Sequence, residues 1–168
     1  GPKLLYPDGT IQHAGIVFGL VDIAEHLFVS ATQGEPSPFG DDGWCRNVSA
    51  VTGACLMIAR PVFEAVGGFD TGYVLLYSDI ELCLRVQEQG WRILYEPSVH
   101  VRHHESKTHR HRIPLGDLAR ARQRFAALLR NGDPHYHPYL SRKWSIPTLD
   151  TPEEIARRAS VSAVTTQH

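Results

Sequence analysis

Residues 67–85 read GGFDTGYVLLYSDIELCLR, and this stretch decides the fold expected of the chain. The two leading glycines stop a short helix over residues 61–66, which a proline begins. Phe-Asp-Thr-Gly then makes a turn. Ser78 and Glu81 have the spacing of a capping box, in which two side chains satisfy free amides at a helix start. The pattern therefore predicts a helix over 79–89, ended by the glycine that follows it.

The segments around this helix predict strands and one further helix. Asp8-Gly9 between two short apolar runs is typical of a β-hairpin. Gly, Pro, Ser and Asp are frequent in 30–47, which predicts a long loop. The expected strands are 3–6, 11–13 with an extension through 15–20, 53–59, 91–95 ended by Pro97, and 99–103; a helix is expected over 117–130. This order of elements predicts an α/β fold with a mixed sheet and flanking helices.

Composition limits the classes of function. The 168 residues are 42% hydrophobic and 21% charged, with a net charge of −1, so one globular domain without a nucleic-acid-attracting field is expected. Neither an 18-residue apolar stretch nor a signal-peptide pattern is present in the sequence. The three cysteines lack metal-knuckle spacing, and we interpret them as buried free thiols of a cytoplasmic protein, with the inner face of the membrane as the alternative location.

Asp79 is the first candidate for chemistry. It falls in the first turn of the predicted helix, where the helix dipole stabilises a negative charge. A carboxylate held ionised in this way suits a general base. The local pattern alone favours an aspartate that only decorates a helix start, because aspartate is common there.

The same stretch resembles the acceptor-side motif of the family 2 glycosyltransferases. That motif runs Gly-Gly-Phe-Asp, a spacer, then Glu-Asp-x-Asp-Leu-x-x-Arg. Here Ser78 stands in place of the usual Glu, and Glu81 in place of the second Asp. Asp79 matches the family's catalytic position, so the resemblance implies that it takes the proton from the acceptor hydroxyl as the sugar is transferred with inversion.

Further blocks extend the resemblance over residues 1–141. They are GPKLLYPDGTIQHAG at the start, VTGAC at 51–55, YEP at 95–97, HHES at 103–106, and DPHYHPYLS at 133–141, which resembles a segment of the rhamnosyltransferase-like members. The family's fold is GT-A, and we expect 1–141 to be its acceptor-side C-terminal half. We expect the N-terminal donor half to be absent, 142–168 to be a partly disordered extension, and the chain alone to be inactive.

The resemblance supplies further candidate site residues. The candidates for acceptor binding are Trp44, Thr52, Gly53, Gly68 and Asp70. Those for the donor diphosphate are Arg85, Lys107 and Arg110, because a guanidinium binds phosphate bidentately. Asp70 fits a turn cap equally well, Trp44 fits a hydrophobic contact of its loop, and the basic side chains fit a solvated surface.

Five histidines occur between residues 100 and 111. The resemblance implies that one of them completes a Mn²⁺ or Mg²⁺ site whose other ligands come from an Asp-x-Asp motif. His103 matches that position best, and His104 is the alternative, since neighbouring strand residues face opposite ways. A polar surface strand with incidental histidines is the competing interpretation.

Together these observations favour a metal-dependent glycosyltransferase that transfers a sugar from a nucleotide-sugar donor to a cell-surface or secreted glycan. The alternatives are a non-catalytic carbohydrate-binding module and a His-rich metal-binding domain. A partial sheet also leaves apolar surface and an open edge, which predicts a homo-oligomer.

Overall fold

The structure, a computed structural model, describes residues 1–104 and 114–156. It is a mixed α/β fold, as predicted. The strands are β1 (Pro2–Leu5), β2 (Ile11–His13), β3 (Ile16–Phe18), β4 (Ala24–His26), β5 (Arg46–Asn47) and β6 (Leu94–Arg102). The helices are α1 (Arg60–Ala65), α2 (Ser78–Glu88), α3 (Leu115–Arg124) and α4 (Ala126–Asn131).

The main sheet has four strands in the order β2-β1-β6-β5. β1 runs parallel to β6 and antiparallel to β2, so the sheet is mixed. The predicted hairpin is confirmed: Asp8 accepts the backbone N–H of Thr10 at 2.9 Å, and Gly9 adopts φ +90°. β3 and β4 form a separate antiparallel pair. The predicted extension of the second strand through 15–20 is wrong, because Gly15 at φ +101° turns the chain and starts β3 as a new strand.

The strand prediction around Pro97 is also wrong. Two strands at 91–95 and 99–103 were expected, but β6 runs through the proline without a break. The register against β1 shifts there, since Pro2 pairs with Glu96 and Lys3 with His100. This irregularity places the proline, which has no N–H to donate, where the ladder does not need one.

No strand forms over 53–59, contrary to the prediction. The segment is a loop, and Met57 at its centre is 95% exposed. The N–H of Gly53 goes to the carboxylate of Asp79 instead of to a neighbouring strand. A short apolar run does not by itself specify a strand, because its hydrogen-bond partners lie elsewhere in the chain.

Helix α2 occupies the predicted position, but its capping box does not form. Its N-cap is Tyr77, in the left-handed region at φ 70°, and no side chain caps the helix. Glu81 is buried and pairs with Arg85 at 2.7 Å, as expected, and with Arg124 at 3.3 Å. Two guanidinium groups hold this carboxylate away from the helix start.

The predicted helix at 117–130 is divided into α3 and α4 at Phe125. The side chain of Phe125 is fully buried, with its ring 5.0 Å from that of Phe18. Leu118, Leu128 and Leu129 also pack against the core. Of the three cysteines, Cys83 is buried as expected, whereas Cys45 is exposed because it lies on the long loop.

The 133–141 block is part of the folded core. Asp133 is buried and accepts hydrogen bonds from Phe18 N at 2.8 Å and Ser49 Oγ at 2.7 Å. The chain beyond it continues to pack on the domain, since Phe28 N donates to Ser145 O at 2.8 Å. Of the extension 142–168 that was expected to be partly disordered, residues 157–168 lie outside the described residues.

His13 makes the stability of the fold depend on pH. Its ring is fully buried beside His26, and burial followed by the neighbouring imidazole lowers the pKa of His13 well below its ordinary value. The unfolded chain therefore binds a proton below pH ~6.5 that the folded chain does not. We expect the free energy of unfolding to fall by about 1 kcal/mol between pH 7 and 5.5 from this group.

Denaturant unfolding of His13→Gln across this pH range should show a flatter dependence than the parent chain. His100→Gln, which replaces an exposed histidine, is the matched control and should leave the slope unchanged. Equal slopes in the parent and His13→Gln would contradict the assignment.

Candidate active site

A cavity of about 920 Å³ lies between the β1–β2 hairpin, the β3–β4 pair and the start of α2. Four of the predicted site residues line it: Thr52, Gly53, Asp79 and His103. They come from three separate parts of the chain, so the fold assembles them. Further polar side chains in its wall are Tyr6, Gln12, Glu25, His26, Tyr77 and Ser78.

The Asp79 carboxylate is held by backbone amides. Its Oδ2 accepts the N–H of Gly53 at 2.7 Å, and its Oδ1 accepts the N–H of Ile80 at 2.9 Å. A side chain at Gly53 would place its Cβ 3.2 Å from the Cβ of Asp79, so glycine allows this close approach. Both bonds fix the carboxylate at the cavity wall, where it is half-buried.

A second aspartate fixes the segment that leads into α2. Asp117, at the start of α3, accepts the consecutive backbone N–H groups of Val74, Leu75 and Leu76 at 2.8–3.0 Å. Burial would raise the pKa of Asp117, but these three donors outweigh it and hold the pKa below its ordinary value. α3 therefore sets the course of the chain immediately before Tyr77 and Asp79.

The His103 ring is oriented by Gln12 of β2. His103 Nδ1 lies 2.8 Å from Gln12 Oε1, and Gln12 Nε2 donates to His103 O at 3.4 Å. The backbone N–H of His103 donates to Leu5 O at 2.9 Å, which continues the β1–β6 pairing by one residue. His104, the alternative, is exposed and does not line the cavity.

His26 is a cavity residue that the sequence analysis missed. Its Nδ1 lies 3.1 Å from Nδ1 of the buried His13, and the two rings meet edge to face. β4 carries it to the cavity by pairing with β3, where His26 is opposite Ile16. No local pattern in the sequence marks His26, because its place depends on that pairing.

The other predicted residues that the structure describes lie outside the cavity lining; they are Trp44, Gly68, Asp70 and Arg85. Asp70 closes its own turn by accepting Gly72 N at 2.7 Å, and it pairs with Arg120 at 2.8 Å. The Gly72 amide, followed by Arg120, lowers the pKa of Asp70. Arg85 donates to Gly68 O at 2.6 Å besides pairing with Glu81, so it fastens α2 to the glycine turn.

Trp44 lies in a second groove. Its indole packs flat against Gly40, where an added Cβ would lie 2.7 Å from the ring, and 60% of the residue is exposed. The groove also contains Tyr139 and Leu149 and shares no lining residue with the Asp79 cavity. Lys107 and Arg110 lie outside the described residues.

A metal site is not complete within the described part of the chain. Over residues 1–104 and 114–156, no three His, Cys, Asp or Glu side chains converge to hold an ion. His103 nevertheless fits the role of a single ligand: the Gln12 carbonyl occupies Nδ1 and leaves Nε2 for another partner. In the same residues, no helix has both the length and the apolar character to cross a membrane.

The family model described as glycosyltransferase-like family 2 matches residues 43–126, half of the chain. The chain belongs to this family. Its mixed sheet and few helices are consistent with a partial GT-A-like domain.

Several curated proteins are similar in sequence to this chain. The chain is 42% identical over 144 residues to the O-antigen biosynthesis protein RfbC of Myxococcus xanthus, covering 84% of this chain and 11% of that protein. It is 39% identical over 61 residues to the N-acetylglucosaminyl-diphospho-decaprenol L-rhamnosyltransferase of Mycobacterium tuberculosis CDC 1551. This match covers 36% of this chain and 20% of that protein. Rhamnosyltransferase WbbL of Escherichia coli K12 is 34% identical over 68 residues, which are 39% of this chain and 24% of that protein.

The chain thus spans only about a tenth to a quarter of the length of these relatives. No solved structure shows a significant match.

Removal of the Asp117 carboxylate should destabilise the site. Asp117→Asn replaces one acceptor oxygen by an amide donor, so at least one of the three partly buried N–H groups loses its partner. We expect the free energy of unfolding to fall by about 2 kcal/mol. Because the folded-state pKa of Asp117 is depressed, the stabilisation is present above pH ~4 and is lost as the pH falls below it.

Urea unfolding of Asp117→Asn and of Asp22→Asn measures this effect. Asp22 is exposed and pairs only at the surface with Arg122 at 3.3 Å, so its variant should change stability by less than about 0.5 kcal/mol. Equal effects of the two substitutions would show that the amide contacts contribute nothing specific.

Proposed function

We propose that this chain forms the acceptor side of an inverting glycosyltransferase site, in which Asp79 is the general base. The reaction transfers a sugar from a nucleotide-sugar donor to an acceptor hydroxyl. The observation that carries the proposal is the position of the Asp79 carboxylate, which two backbone amides fix in the wall of the cavity. The family relationship supports glycosyl transfer as the reaction.

In this proposal the acceptor hydroxyl approaches Asp79 within the cavity. A free carboxylate lone pair accepts the hydroxyl proton as the oxygen attacks the anomeric carbon, and inversion follows from attack opposite the leaving nucleotide. The Gly53 amide keeps the carboxylate from turning away, and Thr52 and Gly53 form the adjoining wall. The names of the relatives make rhamnose the first donor sugar to test and a cell-envelope polysaccharide the first acceptor.

We also propose that the site uses a divalent cation, Mn²⁺ or Mg²⁺, with His103 as one ligand. Such a cation stabilises the charge of the departing diphosphate. The position of His103 supports this proposal, because His103 lines the same cavity as Asp79. Its Nδ1 contacts Gln12, so Nε2 is the ring nitrogen that would bind the cation. The remaining ligands would come from outside the described residues. Arg85, Lys107 and Arg110 remain the proposed diphosphate contacts, although Arg85 also fastens α2 to the Gly68 turn.

The Asp79→Asn substitution tests the base. Asparagine keeps an oxygen that accepts the Gly53 N–H but cannot accept a proton, so turnover in the complete polypeptide should fall by about 10²–10⁴-fold. Donor binding should survive, which equilibrium titration with the nucleotide-sugar measures. Asp22→Asn serves as the control, and near-normal turnover by Asp79→Asn would remove Asp79 from the mechanism.

His103→Ala tests the cation ligand. Loss of one of a few ligands should weaken Mn²⁺ binding to the complete polypeptide at least tenfold, as measured by calorimetry. His104→Ala is the matched control, because His104 is exposed and does not line the cavity. The opposite result, in which only His104→Ala weakens binding, would transfer the role to His104.

A further inference from the structure

Gln12 is a buried polar residue whose side chain reaches the cavity. It is 5% exposed and lies at the centre of the three-residue strand β2. Its amide contacts His103, 91 residues later in the chain, at both the ring and the backbone. A buried amide that spans two strands to hold one imidazole requires an explanation.

The two contacts together determine the tautomer of His103. The backbone oxygen of His103 can only accept a hydrogen bond, so the group that faces it at 3.4 Å is the Gln12 NH₂. The group that faces the ring at 2.8 Å is then the amide oxygen, which can also only accept. His103 Nδ1 must therefore carry the hydrogen, and the neutral ring has its free lone pair on Nε2.

The backbone of His103 is fixed as well. Its N–H donates to Leu5 O at 2.9 Å, while its carbonyl accepts from Gln12. The backbone of His103 is held on both sides of its Cα, so the contact between its ring and Gln12 fixes the orientation of the side chain.

We propose that Gln12 is a positioning residue that presents Nε2 of His103, unprotonated, to the divalent cation of the site. This inference rests on the proposed function, since it concerns the ligand assigned there to His103. A ligating histidine commonly donates its second ring N–H to an acceptor that fixes its orientation. Gln12 supplies this acceptor from a strand that carries no other residue of the proposed catalytic machinery.

The test compares Gln12→Met with Gln12→Glu in the complete polypeptide, with Mn²⁺ alone as the probe. Methionine has a similar length but no strong acceptor, so Mn²⁺ affinity measured by calorimetry should fall about 10–100-fold. Glutamate keeps an oxygen for Nδ1–H, so its affinity should stay within about threefold of the parent. Gln33→Met is the matched control, because Gln33 is exposed and donates only to the hairpin at Gly9 O, 3.1 Å away.

A second measurement reads the tautomer without metal. In the ¹⁵N spectrum of histidine-labelled protein, the His103 signals are assigned by their loss in His103→Ala. The parent protein and Gln12→Glu should show His103 with an unprotonated Nε2, and Gln12→Met should shift it toward the Nε2–H form. This spectrum also shows whether the Gln12→Met variant is folded around the ring.

The outcomes separate the two proposals. If His103→Ala weakens Mn²⁺ binding and Gln12→Met does not, the positioning role is wrong while the cation ligand stands. If neither substitution affects binding, or the parent protein binds no Mn²⁺, the cation proposal itself is overturned and the positioning role with it. An Nε2–H tautomer in the parent protein would overturn the positioning role independently of metal.

Discussion

The parallel pairing of β1 with β6 is the constraint on which the other features depend. It joins residues 2–5 to residues 96–102, and every contact in it bridges about ninety residues of chain. Closing so long a loop is entropically costly, and the burial of Leu4 and Leu5 in β1 offsets part of that cost. The same pairing brings His103 beside the hairpin. Without it, the cavity would lose the wall that faces Asp79.

The second organising feature is the use of carboxylates to hold backbone amides. Asp117 binds three consecutive N–H groups before α2, Asp133 binds Phe18 N, and Asp79 binds Gly53 N. In the loops before α2 and at Gly53, these bonds replace the strand or helix partners that the backbone lacks there. Several segments of the cavity wall are irregular, and their geometry is fixed by the carboxylates that bind their backbone amides.

The sequence predicts features whose cause is local. The hairpin, the glycine turn and the position of α2 follow from residues within a few positions of one another. The predictions fail where a distant group takes the hydrogen bond: Gly53 binds Asp79, and Glu81 binds Arg124. For the site, the family resemblance brings together Thr52, Gly53, Asp79 and His103, which the structure places in one cavity. His26 and Gln12 were missed because their contacts arise from strand pairing.

Tyr77 has a consequence for how this domain tolerates change. A non-glycine residue at φ 70° carries a backbone strain of about 1 kcal/mol, which persists because its ring packs near Phe125 and in the cavity wall. Glycine would relieve the strain and remove the ring in the same step. Position 77 is therefore a place where thermal stability and the shape of the cavity are in direct competition, and selection for a more heat-stable protein would tend to alter the cavity.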